Sequence, residues 1–301
     1  MEEKNMHLTA TVSAFVLAFL SQSGVQGQKS WSVTYSPSKI CAIKGSTVEL
    51  QCNYTYPSKT EDTVTEVKNL KWFTKGENTD PVDLKTDQDY VGRVEYKDGC
   101  TIEIRDVRET DSAVYKIRFI TNHQHGKYTG LPGVHLFVSA FELHVIKSER
   151  RQNHTWTEMK CKSSCLPDQH PYTWIKNGKE ILPGTSSSFS FTFSDTDHIS
   201  CAAPGYEKFP SPSVYMPKLP SVSLGSSGEI LEGSSITLIC TSDANPAANY
   251  TWYKRNVPDP LGKDSQLVFK SVQSSDTGKY FCKADNMLKM ITSEDISVDV
   301  E

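Results

Sequence analysis

The 301-residue sequence lacks the features that mark several large classes of protein. It has no excess of basic charge, because 32 Lys and Arg residues against 36 Asp and Glu residues give a formal net charge of −4, which argues against a nucleic-acid partner. It has no glycine-rich phosphate loop and no serine or cysteine triad signature, so an enzyme is the least expected class. Beyond the N-terminus, no stretch approaches the ~18–20 apolar residues that cross a bilayer.

Metal-ligating patterns are also weak. His123 and His125 would be two ligands on one loop, too few for a structural zinc site. The spacing of Cys161 and Cys165, with His170 nearby, faintly suggests zinc, but a disulfide is favoured in a secreted chain. We therefore predict no metal and no other cofactor.

The N-terminus predicts entry into the secretory pathway. Residues 8–20 are mostly apolar, and Val25-Gln26-Gly27 offers small residues at a plausible cleavage site. Because a polar, strand-like sequence follows directly, residues 1–27 are interpreted as a signal peptide rather than a short buried helix. Eight cysteines, an even number, fit the same oxidising compartment. We expect an extracellular or cell-surface protein, secreted if 301 residues is the full product and attached to a membrane only if the chain continues past Glu301.

A Cys…Trp pattern occurs three times and predicts the fold. It pairs Cys52 with Trp72, Cys161 with Trp174, and Cys240 with Trp252. This spacing is typical of immunoglobulin β-sandwiches. We therefore expect an all-β chain of three tandem immunoglobulin-like sandwiches, at residues 28–139, 140–217 and 218–301. Extra strand material expected between Trp72 and Arg93 suits a variable-type first domain, and the two shorter domains suit the constant type.

The stretch from Cys100 to Phe119 departs from the common immunoglobulin pattern. Its second part resembles the Asp-x-Ala-x-Tyr signature of immunoglobulin domains. In that signature a cysteine usually lies two residues after the tyrosine. Ile117 stands at that position, and the cysteine lies one strand earlier, as Cys100. Since side chains alternate along a strand, an inward Ile117 predicts that Arg118 points outward.

These features together resemble the siglecs, the sialic-acid-binding immunoglobulin-type lectins, nearest the B-cell siglec and myelin-associated glycoprotein branch in a fish-like variant. The resemblance implies a Cys52–Cys100 bond within one sheet and core bonds Cys161–Cys201 and Cys240–Cys282. It also implies a bond from Cys165 to the first domain, where Cys41 is the remaining cysteine. The family's usual position for that partner is occupied here by Thr47.

The resemblance also implies a ligand site. Arg118 matches the siglec arginine whose planar fork binds the sialic-acid carboxylate through two parallel hydrogen bonds. Trp31 would pack on the acetyl group and Tyr128 on the glycerol chain, although the family often has tryptophan at the latter position. Backbone groups from Lys127 onward would bind sugar hydroxyls. The simpler alternatives are a solvated strand arginine and aromatic rings that cover the sandwich edge.

The predicted function is a siglec-type immune receptor ectodomain that binds sialylated glycoproteins or glycolipids in cis or trans, for adhesion or inhibitory immune signalling. One alternative is an immunoglobulin-superfamily receptor with a protein ligand, for which Arg118 is incidental. Another is a secreted decoy. Sequons at Asn53, Asn153 and Asn249 place one expected glycan in each predicted domain.

Overall fold

Alternating apolar and polar residues build most of the chain into short β-strands around three hydrophobic cores. The computed structural model describes residues 30–60, 63–77, 80–123, 126–152, 154–225 and 228–301. The predicted signal peptide and Asn153 lie outside the described residues. The first, second and third cores contain the fully buried Trp72, Trp174 and Trp252 respectively. The all-β immunoglobulin-like class is confirmed, while the division into domains stays a prediction.

Two sheets enclose the first core. One layer contains the paired strands β1 and β4 together with β3, β8 and β9. The other layer contains β2, β7, β10, β11 and β12. Most pairs are antiparallel, but β12 and β2 are parallel. The strands are β1 (Ser32–Tyr35), β2 (Lys39–Ile43), β3 (Val48–Leu50), β4 (Cys52–Thr55), β5 (Lys59–Thr60), β6 (Thr63–Val64), β7 (Val67–Phe73), β8 (Val94–Tyr96), β9 (Ile102–Ile104), β10 (Ala113–Thr121), β11 (Lys127–Thr129) and β12 (Val134–Ser139).

The second and third cores each lie between two sheets. The second is enclosed by β13 (Glu142–Arg150), β14 (Thr155–Lys162), β15 (Tyr172–Lys176), β16 (Lys179–Thr185), β17 (Ser188–Phe193) and β18 (Ile199–Ala202). The third is enclosed by β19 (Ser221–Leu224), β20 (Ile236–Thr241), β21 (Asn249–Lys254), β22 (Gln266–Phe269), β23 (Gly278–Asp285), β24 (Met290–Thr292) and β25 (Ile296–Val298). Short 3₁₀ helices, Glu109–Asp111 and Ser274–Asp276, precede β10 and β23. No helix of the described residues is long and apolar enough to cross a membrane.

The extra strands expected between Trp72 and Arg93 are not found among the described residues of that segment. Turns occupy residues 84–86 and 88–93. The backbone amides of Thr86 and Asp87 both donate to the carbonyl of Asp83, and Tyr90 and Val91 donate to Asp87. A segment rich in Asp, Gly and Lys favours such turns over strands.

Four disulfides join the eight cysteines. Cys52 and Cys100 continue the β3–β9 register, in which Leu50 opposes Ile102, so this bond lies within one sheet. The other bonds are Cys161–Cys201, Cys240–Cys282 and Cys41–Cys165. The Cys161 and Cys240 bonds cross between the two sheets of their cores, with Cα atoms 6.2 and 6.4 Å apart. Cys41–Cys165 links β2 of the first sandwich to the segment after β14, 124 residues later.

A loop of the third sandwich enters the second core. Leu288, between β23 and β24, is fully buried and belongs to the second cluster. Thr155 and Ser148 donate side-chain hydrogen bonds of 2.7 and 2.6 Å to the carbonyls of Leu288 and Met287. The Asn286 side chain accepts the amide of Leu288 and so shapes the loop. The two sandwiches are therefore packed together, and not simply joined by the proline-bearing segment around Pro217.

We expect Leu288→Ala to destabilise the second sandwich. Truncating a fully buried leucine leaves a cavity and costs about 2–5 kcal/mol. Thermal unfolding of the full chain should show a transition several degrees lower than in the parent. Leu231→Ala is the matched control, because Leu231 is 57% exposed. Equal melting curves for both variants would contradict the packing role.

Candidate functional site

Strand β10 places Arg118 on the outer face of the first sandwich. Tyr115, Ile117 and Phe119 are fully buried, whereas Arg118 between them is partly exposed. Two-residue alternation is the cause, because three consecutive odd-numbered side chains are apolar and fill the core. The outward orientation predicted from Ile117 is therefore what the strand shows.

The guanidinium of Arg118 lies over an aromatic ring and contacts two neighbouring segments. Its Nε donates to Oγ1 of Thr129, its cross-strand partner on β11, at 2.8 Å. Its Nη2 donates to the carbonyl of Glu77 at 2.5 Å. Its Cζ lies 5.7 Å from the centre of the Phe73 ring. These contacts fix the plane of the fork, and each terminal nitrogen carries two N–H groups, so a donor remains on Nη2 beside the Glu77 contact.

Further cations surround Arg118 on the same face. Lys71 on β7 lies directly opposite it in the register, and Lys116 precedes it by two residues on β10. Lys127 shares the face because it lies two residues before Thr129 on β11. We call these four residues, Lys71, Lys116, Arg118 and Lys127, the basic face.

Two loop carboxylates neutralise part of the basic face. Lys116 bonds to Glu77 at 2.5 Å and Lys71 to Asp80 at 2.6 Å. The pKa of the Asp80 carboxyl is lowered by the hydrogen bond and charge of Lys71, with smaller contributions from Lys127 and Arg118. Glu77 and Asp80 are thus held against the sheet by contacts with three of its cations.

Trp31 and Tyr128 lie on the other side of this sheet. Trp31 stacks with Phe119 and with Tyr128, at centroid distances of 5.7 and 6.2 Å and interplanar angles near 20°. Both rings pack against the first core, together with Tyr56. Strand parity explains the difference from the predicted site. Tyr128 opposes the inward Phe119, so its side chain points inward, while Lys127 and Thr129 point outward with Arg118.

Tyr35 is a positioning residue that the sequence did not reveal. Its hydroxyl accepts the amide of Ile117 at 3.1 Å and donates to the carbonyl of Gly130 at 3.0 Å. It thereby bridges β10 to the break between β11 and β12. Burial is the main cause that raises its pKa to about 12, so the hydroxyl keeps its proton. No sequence motif identified Glu77 or Lys71 as part of this site either.

The expected glycan positions are remote from the basic face. Asn53 is exposed on β4, in the sheet opposite Arg118, because its neighbour Cys52 points into the core. Asn249 is exposed at the start of β21 in the third sandwich. Glycosylation of these residues stays a prediction.

Comparison with known proteins finds a family match for one segment of the chain. A family model described as an immunoglobulin domain matches residues 220–286. This stretch is therefore similar to immunoglobulin domains. It contains the Cys240–Cys282 disulfide and the buried Trp252, which are the core features of that fold.

Curated relatives of the chain include immune and adhesion receptors. The mouse B-cell receptor CD22 is 28% identical over 128 residues, which cover 40% of this chain and 15% of that protein. The rat Kin of IRRE-like protein 1 is 29% identical over 137 residues, 41% of this chain and 16% of that protein. The chain thus spans less than a fifth of the length of these relatives.

Solved structures with immunoglobulin domains also match. The match to the titin I-band fragment I67–I69 covers 91% of this chain and 98% of the fragment, at 16% identity and with a TM-score of 0.33. The four N-terminal immunoglobulin domains of Dscam1 isoform 1.9 match 90% of this chain and 73% of theirs at 13% identity, with a TM-score of 0.26.

We expect Trp31→Ala to lower stability rather than ligand binding. Loss of a half-buried ring that stacks on Phe119 should cost about 1–3 kcal/mol of the free energy of unfolding. Denaturant unfolding of the full chain measures this cost. Trp156→Ala provides a control, because Trp156 is also half-buried but lies in the second sandwich. Unchanged stability of the first sandwich, combined with loss of glycan binding, would make Trp31 a ligand contact instead.

Proposed function

We propose that the chain is the ligand-binding part of a siglec-type cell-surface immune receptor, which binds sialylated glycans through Arg118. The observation that carries the proposal is an arginine held on the outer face of a strand, with its fork oriented by Thr129 and Phe73. A sialic acid presents one carboxylate at neutral pH, and the guanidinium plane matches it. The similarity to the B-cell receptor CD22 supports this assignment.

The proposed contacts differ from the siglec pattern in their aromatic part. Lys127 and Thr129 lie beside Arg118 on the exposed face, and their backbone and side-chain groups can bind sugar hydroxyls. Trp31 and Tyr128 support the same sheet from its interior side. Because an exposed ion pair contributes only about 0–1 kcal/mol, binding of a single glycan should be weak and should depend on multivalency.

A protein ligand on the same face is the second candidate. It is favoured by the matches with adhesion proteins, including human cell adhesion molecule-related/down-regulated by oncogenes, which is 28% identical over 145 residues. It is also favoured by the Glu77 contact, which gives Arg118 a structural partner within the chain. The similarity to these relatives supports a location outside the cell or at its surface for either function.

Arg118→Ala should abolish binding to sialylated cells. The loss of a charge-assisted, two-bond contact is expected to weaken binding at least tenfold. The assay is flow cytometry with the full secreted chain in multivalent form, on untreated and sialidase-treated cells. Arg118→Lys should fail almost as completely, since lysine cannot form the two parallel bonds.

Arg105→Ala is the matched control, because this exposed arginine follows β9 in the opposite sheet and should leave binding unchanged. Binding that survives both sialidase and Arg118→Ala would reject the lectin proposal in favour of a protein ligand.

A further inference from the structure

A second cation lies directly across the strand pair from Arg118. In the β7–β10 register Arg118 opposes Lys71, so both side chains project from one face. Like charges in directly opposite positions repel each other. The side chain of Lys71 is also only 10% exposed, so its ammonium has lost most of its water. An ammonium in this position needs an anion beside it.

Asp80 supplies that anion from a very different environment. Its carboxylate bonds to the Lys71 ammonium at 2.6 Å, yet its own side chain is 86% exposed. Its pKa is lowered first by Lys71 and then by Lys127 and Arg118, so the carboxylate faces three cations of the basic face. An exposed loop carboxylate thus neutralises a nearly buried ammonium.

The two partners differ in how easily they can leave. Asp80 can rotate into water with little change in its own hydration, because water already surrounds most of it. Lys71 lies on β7, which is paired with β10, and its packed side chain cannot follow. If Asp80 leaves, Lys71 and Arg118 form two adjacent cations, and an incoming anion restores the balance of charge.

We propose that Lys71 is a second anion-binding residue beside Arg118, and that Asp80 is its exchangeable counter-ion. The glycans bound most tightly by this face then carry a second anionic group near the sialic-acid carboxylate. That group is either a sulfate or the carboxylate of a second sialic acid. This proposal rests on the proposed function, because the first carboxylate belongs to Arg118.

Binding of matched glycans to the full chain tests the proposal. The probes are sialyllactoses of both common linkages, the same sugars with one sulfate, disialyllactose, and lactose with one sulfate but no sialic acid. We expect the sulfated or disialylated probes to bind about tenfold more tightly than the singly charged ones, the gain typical of one further charge-assisted hydrogen bond. Whether the sulfated or the disialylated set gains identifies the source of the second anion.

Variants assign the gain to Lys71. Lys71→Gln should remove the tenfold gain, so that the doubly charged probes bind this variant no more tightly than singly charged sialyllactose does. Lys71→Arg keeps the charge and should keep the preference. Asp80→Asn removes the competing carboxylate and should raise affinity for the doubly charged probes several-fold. Lys68→Gln is the control for overall charge, because Lys68 lies on the same strand and its side chain is 57% exposed. Melting curves for each variant show that it has folded.

The outcomes separate this proposal from the function beneath it. Arg118-dependent binding of sialyllactose with no gain from a second anion overturns the role of Lys71 and leaves the lectin function in place. A gain that persists in Lys71→Gln, or that Lys68→Gln also removes, overturns it equally. If no sialylated probe binds and Arg118→Ala changes nothing, the proposed function fails and this proposal fails with it.

Discussion

Alternation of side chains along β10 is the constraint on which the first sandwich and its exposed face both depend. The same strand contributes three fully buried side chains to the core and four partly exposed ones to the opposite face. Replacing the usual cysteine by Ile117 keeps the inward row apolar and leaves this core without a covalent link between its sheets. The Cys52–Cys100 bond lies within one sheet, so side-chain packing and the hydrogen bonds of Tyr35, rather than a disulfide, set the distance between the layers.

That packing is largely aromatic near the end of the sandwich that carries Lys127. Trp31, Tyr54, Tyr56, Phe119 and Tyr128 form contacts with ring centroids 5.0 to 6.4 Å apart. Because no disulfide joins the two layers, these rings connect β1 and β4 to β10 and β11. The aromatic cluster therefore supports Arg118 from behind: it holds the backbone of β10 and β11 in place while their outward side chains carry the charge.

Sequence patterns predicted the features that depend on local periodicity. The Cys…Trp repeat predicted immunoglobulin-like sandwiches, and the position of Ile117 predicted that Arg118 faces outward. The side taken by Tyr128 depends instead on the pairing register of β10 and β11. A shift of one residue moves a side chain to the other face, and counting along a resembling strand cannot fix the register across an irregular break. Turns replace the expected strands between Trp72 and Arg93, where the side chains of Asp83 and Asp87 accept nearby backbone amides and so favour turns over strands.

Contacts between distant segments had no sequence signal at all. Neither the Lys71–Asp80 pair nor the insertion of Leu288 follows from a local pattern, because each depends on how separate elements meet. The two junctions between the sandwiches are fixed by different kinds of interaction. The first has almost no linker and is fixed by the covalent bond Cys41–Cys165.

No disulfide among the described residues joins the second junction. It is held by the buried Leu288 and by hydrogen bonds to the carbonyls of its loop. Two ion pairs, Arg150 with Asp285 and Lys289 with Asp195, lie on either side. Ion pairs with exposed side chains contribute little, so most of the stabilisation must come from Leu288 and from the hydrogen bonds that its burial protects from water. A basic face that binds anions weakly at each site gains most from several copies presented in a common direction. Because both junctions are fixed, each chain presents the basic face in one direction. The second and third sandwiches therefore contribute to binding by orienting the first.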